Sequence, residues 1–426
     1  MPDRNAALVV TATAELLRAF GRRGGHASAV LREELRRADA SLRGAVVEAF
    51  YAALRNDRAI EHVLGDHTSE RARAAIAGAM AGVYAWPEAA RLAPGATGID
   101  DAVVQATIEE IADPTERFAV RYSLPDPLAK RMLTGDIEDA EPLARALTAP
   151  PPITLRATQD REALIAELND AQIPARPGRF ARAAVIAEPV GSLYETSAFL
   201  EGRFELQDEG SQLIAELVAP PPSGVVLDLC AGAGGKTLAI AALLGGKGRI
   251  YATDTHRSKL TELSKRARRA ELHNIQTLLI TGAPDEAWPE PIARVVGKID
   301  RVLIDAPCTG VGVLRRNPEA KWRYDAEGTR ELLALQAALL RRGAPLLGPG
   351  GRLIYATCSF LPEENQRQVE SILAERPELE LVRPAEIWGR ARADALVGAS
   401  GRYLEVRPDR HGTDGFFAAV LRRKRG

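Results

Sequence analysis

Apolar positions recur at helical spacing from Ala6 to about Leu64. Val9, Leu16, Leu17 and Phe20 form one stripe, and Leu42, Val46, Phe50 and Leu54 come after it at intervals of four. A period near 3.6 residues puts such positions on one face, so amphipathic helices covering a core are expected. Gly24–Gly25 and the region of Ser41 interrupt the pattern. Arg71–Val83 and Ala102–Ile111 continue it, the second aligning Val104, Ile108 and Ile111. Residues 1–125 therefore read as a small all-helical domain, a bundle whose default role is packing or partner binding.

Pro125, Pro127 and the run Pro150–Pro152 mark a change of regime, because consecutive prolines cannot sit inside a helix. A strand at Ile153–Arg156, a helix at Arg161–Ala171 and a strand at Ala183–Ile186 suggest a small α/β connecting domain over 126–203. From 204 to 426 strand and helix alternate. Strands are expected at Val225–Leu229, Arg249–Thr253, Ile275–Ile280, Arg301–Ile304 and Leu353–Ala356, with helices at Thr237–Leu244, Lys259–Leu272 and Thr329–Leu347 between them. That alternation implies a doubly wound, mostly parallel sheet covered on both faces. Tyr403–Val406 and Gly415–Leu421 read as a hairpin adding an antiparallel strand at one edge.

Composition narrows the class. A hydrophobic content of 46% with 27% charged residues is that of a globular protein, and 56 Lys+Arg against 57 Asp+Glu give no global cationic field. Nucleic-acid contact would have to come from local patches. No apolar run approaches the ~18 residues of a membrane span, and no cationic leader precedes an apolar core, so a cytoplasmic protein without membrane contact is expected. Three cysteines without a CxxC pair form neither a disulfide framework nor a four-sulfur metal site; free thiols and no metal are expected.

The first chemistry-bearing stretch is DLCAGAGGKT, Asp228–Thr237, after a strand and opening a helix. Small residues let a ligand approach the backbone, and the helix N-terminus offers unpaired N–H groups. Cys230 stands where a phosphate-cradling loop needs glycine, and Thr237 where the dinucleotide fingerprint needs its third glycine. The acids remain: Asp228, and Asp254 at the end of the next strand. A carboxylate there can hold ribose hydroxyls, which favours S-adenosylmethionine over NAD or ATP. A tight turn binding nothing, and Asp254 as a helix cap, are the plain alternatives.

Cys230, Cys308 and Cys358 each come just after a predicted parallel strand, where ligands bind in open α/β sheets. DAPCTG (Asp305–Gly310) and ATCSF (Ala356–Phe360) would bring one acid and two thiols into one pocket if their strands are neighbours. Such a set exceeds what methyl transfer to a heteroatom needs. It suits a carbon that must first be made nucleophilic.

These stretches, with QDEGSQ (207–212), DAPCTGVGVLRRNPEAKW, YATCSFLPEEN and TDGFFAAVL (413–421), resemble the RNA 5-methylcytosine methyltransferases of the RsmB/Sun (Fmu) branch over about 220 residues. PPITLRA and YSLPDPLAKRML resemble that branch as well, and the helical segment resembles its NusB-like RNA-binding domain. The resemblance implies a Rossmann-like methyltransferase fold and a thiolate-first mechanism. Cys358 would attack C6 of the cytosine, Asp305 would contact the N3 side of the ring, and Cys308 would assist breakdown of the adduct. Lys236 would lie near the pocket and favour the thiolate. Cys230, Ala231, Gly232, Ala233, Gly234, Gly235 and Lys236, with Asp254 and Asp305, would hold S-adenosylmethionine.

Two positions depart from the branch. The acid usual after the third strand is replaced by Ile280-Thr281-Gly282-Ala283, leaving Asp285 as a substitute, and Thr309 stands for a serine. For RNA, Arg315, Arg316, Lys321 and Arg323 around Trp322 and Tyr324 mix cations with stacking surfaces; Arg422–Arg425 reads as a frayed basic tail. The expected activity is methylation of ribosomal RNA by a monomer. The same chemistry on tRNA, an idle RNA-binding assembly factor and a P-loop NTPase are the competing readings, the last disfavoured by Cys230.

Overall fold

The computed structural model describes residues 3–23, 25–35, 39–188, 193–283 and 286–425; Gly24 and Asp285 lie outside them. The chain forms two compact units, residues 1–150 with 313–328, and 151–312 with 329–426.

The first unit is helical, as its periodicity predicts. Asp3–Arg23, Arg43–Arg55 and Glu70–Met80 bury Val9, Val10, Val46, Phe50 and Ile76 together. Ser69, Asp100 and Asp113 each accept a backbone N–H two or three residues into the helix they precede, as N-caps do. The expected boundary at 125 is overturned. Asp126–Thr134 and Ala140–Thr148 are helices that bury Leu128, Met132, Leu143 and Leu147, and Tyr122 Oη donates to Glu141 at 2.8 Å. The helical unit ends at the proline run. It also takes in Val313–Gly328: Arg55 Nε donates to the Arg315 carbonyl at 3.0 Å, and the Ala27 N–H to Glu319 at 3.2 Å.

The second unit holds two sheets. β1 (Ile153–Ala157), β2 (Ala175–Pro177), β3 (Ala184–Ala187) and β4 (Phe204–Leu206) form an antiparallel sheet in the order β2-β3-β1-β4. Arg161–Asp170 packs Leu164 and Leu168 against Leu155, Val185 and Phe204. This sheet is tied to helices later in the same unit, because Gln212 Nε2 donates to the Leu155 carbonyl at 3.1 Å and Glu205 pairs with Arg266 and Arg269.

The large sheet contains β5 (Val225–Asp228), β6 (Arg249–Asp254), β7 (Ile275–Leu279), β8 (Ile299–Asp305), β9 (Leu347–Thr357), β10 (Leu379–Val382), β11 (Leu404–Val406) and β12 (Phe416–Arg423). Its order is β10-β12-β9-β8-β5-β6-β7, with β11 also on β12. The chain starts at β5, moves outward to β7, then returns to β8 on the other side of β5. That switch point is where an open α/β sheet leaves a crevice beyond its strand ends. β12 runs antiparallel beside β9, as the hairpin pattern predicts, and β10 and β11 extend the sheet past it. The expected frayed tail is ordered structure: Arg422 donates to Glu380 at 2.8 Å, and Arg423 to the Leu347 carbonyl at 2.6 Å.

Candidate active site

Beyond β5 the chain turns through the glycine run into the helix Gly235–Leu243. Gly232 and Gly234 have φ of +54° and +90°, a region that side chains disfavour. A Cβ on Gly234 would stand 2.5 Å from Leu263 Cγ, so the turn is pressed onto the helix Arg257–Arg269. A Cβ on Gly232 would meet nothing within 4 Å, which marks the open side of the loop. Asp254 Oδ2 accepts the Gly232 N–H at 2.9 Å and Oδ1 the His256 N–H at 2.8 Å. Oδ1 also faces His256 Nδ1 at 3.1 Å, so Asp254 shapes the loop while its Oδ2 keeps a lone pair for a hydroxyl. Ala231 N–H donates to the Thr253 carbonyl at 2.8 Å, and the Ala233 carbonyl accepts from Arg266 at 2.7 Å. A donor group with ribose hydroxyls fits these residues: open backbone at Gly232 beside a carboxylate with acceptor capacity to spare.

Cys230 is placed differently from the other thiols. It packs against the apolar core of the large sheet, where burial and the charges of Asp228, Asp305 and Asp254 push its thiol up. Asp228 is fully enclosed; Thr237 Oγ1 donates to its Oδ2 at 2.6 Å, while its Oδ1 has no protein partner among the described residues. Burial first, with Asp305 adding to it, raises this carboxyl to about 7.

In the first turn of this helix, Lys236 Nζ donates to Asp305 Oδ2 at 2.7 Å, and it stands 5.2 Å from the centre of the Phe416 ring. Burial alone would lower this ammonium. The charge and hydrogen bond of Asp305, with the charges on Cys358 and Asp228, outweigh burial and raise it.

The two remaining thiols meet. β8 and β9 are parallel neighbours with Asp305 opposite Ala356, so the loops bearing Cys308 and Cys358 leave the same sheet edge side by side. The sulfurs are 3.3 Å apart. The hydrogen bond to Cys358, then burial, keeps Cys308 well above the ordinary thiol range. Backbone bonds fix the pair: Gly312 N–H donates to the Cys358 carbonyl at 2.9 Å, and Gly415 N–H to the Gly312 carbonyl at 2.8 Å. A Cβ on Gly312 would lie 2.3 Å from the Gly415 carbonyl oxygen, so backbone must meet backbone here.

The geometry adds residues beyond those expected from the sequence. Glu364, wholly buried, accepts from Thr309 and Gln336; Asn365 Nδ2 donates to the Ser359 carbonyl at 2.9 Å. Both lie in the PEEN stretch shortly after Cys358, where two polar residues after an apolar run were the available signal. After β7, Glu286 accepts the N–H groups of Thr281 and Gly282 at 2.8 and 3.2 Å, and these bonds outweigh desolvation to lower its carboxyl. It organises the stretch where the family acid is missing.

The expected RNA patch is corrected. Within the helical unit Lys321 is buried, donating to the carbonyls of Leu54 and Arg55 at 2.8 and 3.1 Å, and Arg315 is buried as well. Burial lowers Lys321 to about 7. Trp322 and Arg323 remain exposed. Among the described residues, no cluster of three His, Cys, Asp or Glu could hold a metal ion, and no helix is long and apolar enough to cross a membrane.

Residues 215–422 match the family described as 16S rRNA methyltransferase RsmB/F. A probable ribosomal RNA small subunit methyltransferase B of Bacillus subtilis is 33% identical over 328 residues, 75% of this chain and 70% of that protein. The ribosomal RNA small subunit methyltransferase B of Pseudomonas putida is 33% identical over 340 residues, 77% and 74% of the two chains. The crystal structure of a methyltransferase homolog protein from Pyrococcus horikoshii is 26% identical, covers 74% of this chain and 100% of its own, and has a TM-score of 0.60. The paired thiols at the edge of a methyltransferase sheet, and relatives matched over most of their length, place this chain in the RsmB/F methyltransferase family.

Proposed function

We propose that this enzyme methylates C5 of a cytosine in ribosomal RNA, most specifically the 16S species, through a bond between Cys358 and C6. The observation that carries the reading is the pair of sulfurs 3.3 Å apart beside the Lys236–Asp305 ion pair. The methyl donor is S-adenosylmethionine, which when bound supplies an electrophilic methyl group. Asp254 and the backbone of the loop 230–235 would hold it.

Cytosine C5 is a poor nucleophile until a group adds at C6. The Cys358 thiolate forms the S–C6 bond, and the C5–C6 electron pair moves into the ring, where Asp305 faces the N3 side. Lys236 holds Asp305 in place and lends positive charge near the thiolate. C5 then takes the methyl group. Once Cys358 is bonded to carbon, the hydrogen bond between the sulfurs that held the Cys308 proton is lost. Cys308 gives that proton to water and, as a thiolate, accepts the C5 proton, while the C5–H electrons re-form the double bond and the S–C6 bond breaks, returning the Cys358 thiolate. A cytosine within a stem must be unstacked to reach this site.

The test is methyl transfer from labelled S-adenosylmethionine to 16S rRNA and tRNA transcripts, with peptide mapping of the adduct formed on RNA carrying 5-fluorocytidine. A Cys358-linked adduct and label in 16S rRNA are expected. Label confined to tRNA overturns the substrate, and an adduct at another residue overturns the nucleophile.

A further inference from the structure

Two loops that must hold sulfurs at a fixed separation share one enclosed carboxylate. Glu364 lies six residues beyond Cys358 and is fully buried, yet it bonds across to the other thiol loop. Its Oε1 accepts the Thr309 N–H at 2.9 Å and Gln336 Nε2 at 3.0 Å, and its Oε2 accepts Thr309 Oγ1 at 2.5 Å. Gln336 Nε2 also donates to the Pro307 carbonyl at 2.9 Å. The residues on both sides of Cys308 are therefore held, one directly and one through Gln336. Glu364 is itself anchored, since Tyr355 Oη, at the centre of the sheet, donates to its carbonyl at 2.6 Å. Cys358 has separate supports: its carbonyl accepts from Gly312, and the flanking Thr357 and Ser359 bond to Asn365.

A buried carboxylate is costly unless its acceptor sites are filled, and here the filling groups all belong to the Cys308 loop or to the helix Ala326–Gly343 behind it. We propose that Glu364 is a positioning residue that sets Cys308 for release of the methylated base, acting on that step rather than on attack by Cys358. The assignment rests on the thiol chemistry proposed above. It also accounts for the hydroxyl at position 309, since threonine supplies the same donor as serine to Oε2.

The test compares Glu364→Ala, Glu364→Gln and Thr309→Val with Cys308→Ala in the full chain. Single-turnover methylation, steady-state turnover and protein–RNA adduct on a denaturing gel are read with ordinary cytosine RNA. Glu364→Ala should behave like Cys308→Ala: single-turnover methylation within about threefold of the parent, steady-state turnover down about tenfold or more, and adduct accumulating. Glu364→Gln keeps an acceptor for Thr309 N–H and can donate to its hydroxyl, so release should recover. Thr309→Val, which loses one of the three bonds and is the milder change, should accumulate less adduct. Equal slowing of both phases, or no adduct in either Glu364→Ala or Thr309→Val while Cys308→Ala accumulates it, overturns the positioning role. Absence of adduct from Cys308→Ala, and from the parent on 5-fluorocytidine RNA, overturns the thiol mechanism itself.

Discussion

Lys236 and Lys321 are both almost fully buried, but their surroundings drive them in opposite directions. Lys236 has a carboxylate at 2.7 Å and an aromatic face, and its ammonium is held above the ordinary range. Lys321 also has an aromatic ring beside it, Trp322 at 5.1 Å, but two main-chain carbonyls and, among the described residues, no carboxylate within ion-pair distance, and burial lowers it to about 7. Carbonyls at a helix C-terminus carry only part of a charge and offset part of the desolvation of a cation. A buried lysine is thus a charge device in one unit and a helix-end clamp in the other, and its partner decides which.

The largest expected effect separates the two in activity. Lys236→Met should lower methyl transfer on the order of 100-fold, by leaving Asp305 unpaired next to the thiols; Lys321→Met should leave turnover per folded molecule near the parent value. Initial rates with labelled donor check both, and a matching loss in Lys321→Met would end the distinction. Lys236→Arg should cost about tenfold, because a planar fork does not replace a compact ammonium between Asp305 and Phe416.

The pH dependence of stability has opposite sign at the two sites. Unfolded lysine titrates near ~10.4. Lys321 is lower when folded, so between about 7 and that value the unfolded chain binds the extra proton, and stability rises with pH by at most about 1.4 kcal/mol per unit. Below about 7 both states are charged and the slope vanishes. Denaturant unfolding across pH 7–10 should show this increment in the parent and lose it in Lys321→Met. Lys236 is raised on folding, so its contribution is fully present below the unfolded value and disappears as pH climbs through the folded one. The smallest effect is expected at Arg323, exposed on the same segment as Lys321: Arg323→Ala should change stability by less than about 0.5 kcal/mol. A larger shift by thermal unfolding would mean that exposure misleads there.

Legibility in the sequence divides along the same line. The strands of the large sheet other than β10, and the meeting of Cys308 with Cys358, were readable because apolar alternation and residues at strand ends are tied to backbone geometry. The fate of Arg315 and Lys321 was not, since a run of cations looks the same whether it faces water or closes the end of a helix 266 residues away in sequence. Cys230 shares its place beyond a strand with the other thiols, yet its side chain turns to the core. Glu364 lies in the PEEN stretch, but its bonds to Thr309 and Gln336 are long-range and have no local pattern. The helices at 126–134 and 140–148 were masked by Pro127 and Pro142, which sit in their first turns, where proline is tolerated.

Because Val313–Gly328 belongs to the helical unit, the chain visits that unit twice, and one cleavage after Pro150 does not separate the halves. A fragment beginning at residue 151 would carry Leu314, Pro318 and Ala320 stripped of their cover, and Lys321 beside them would regain water. Dissection of this enzyme by truncation would therefore yield a sticky remnant, whereas coexpression of the two fragments offers a route to reassembly by complementation.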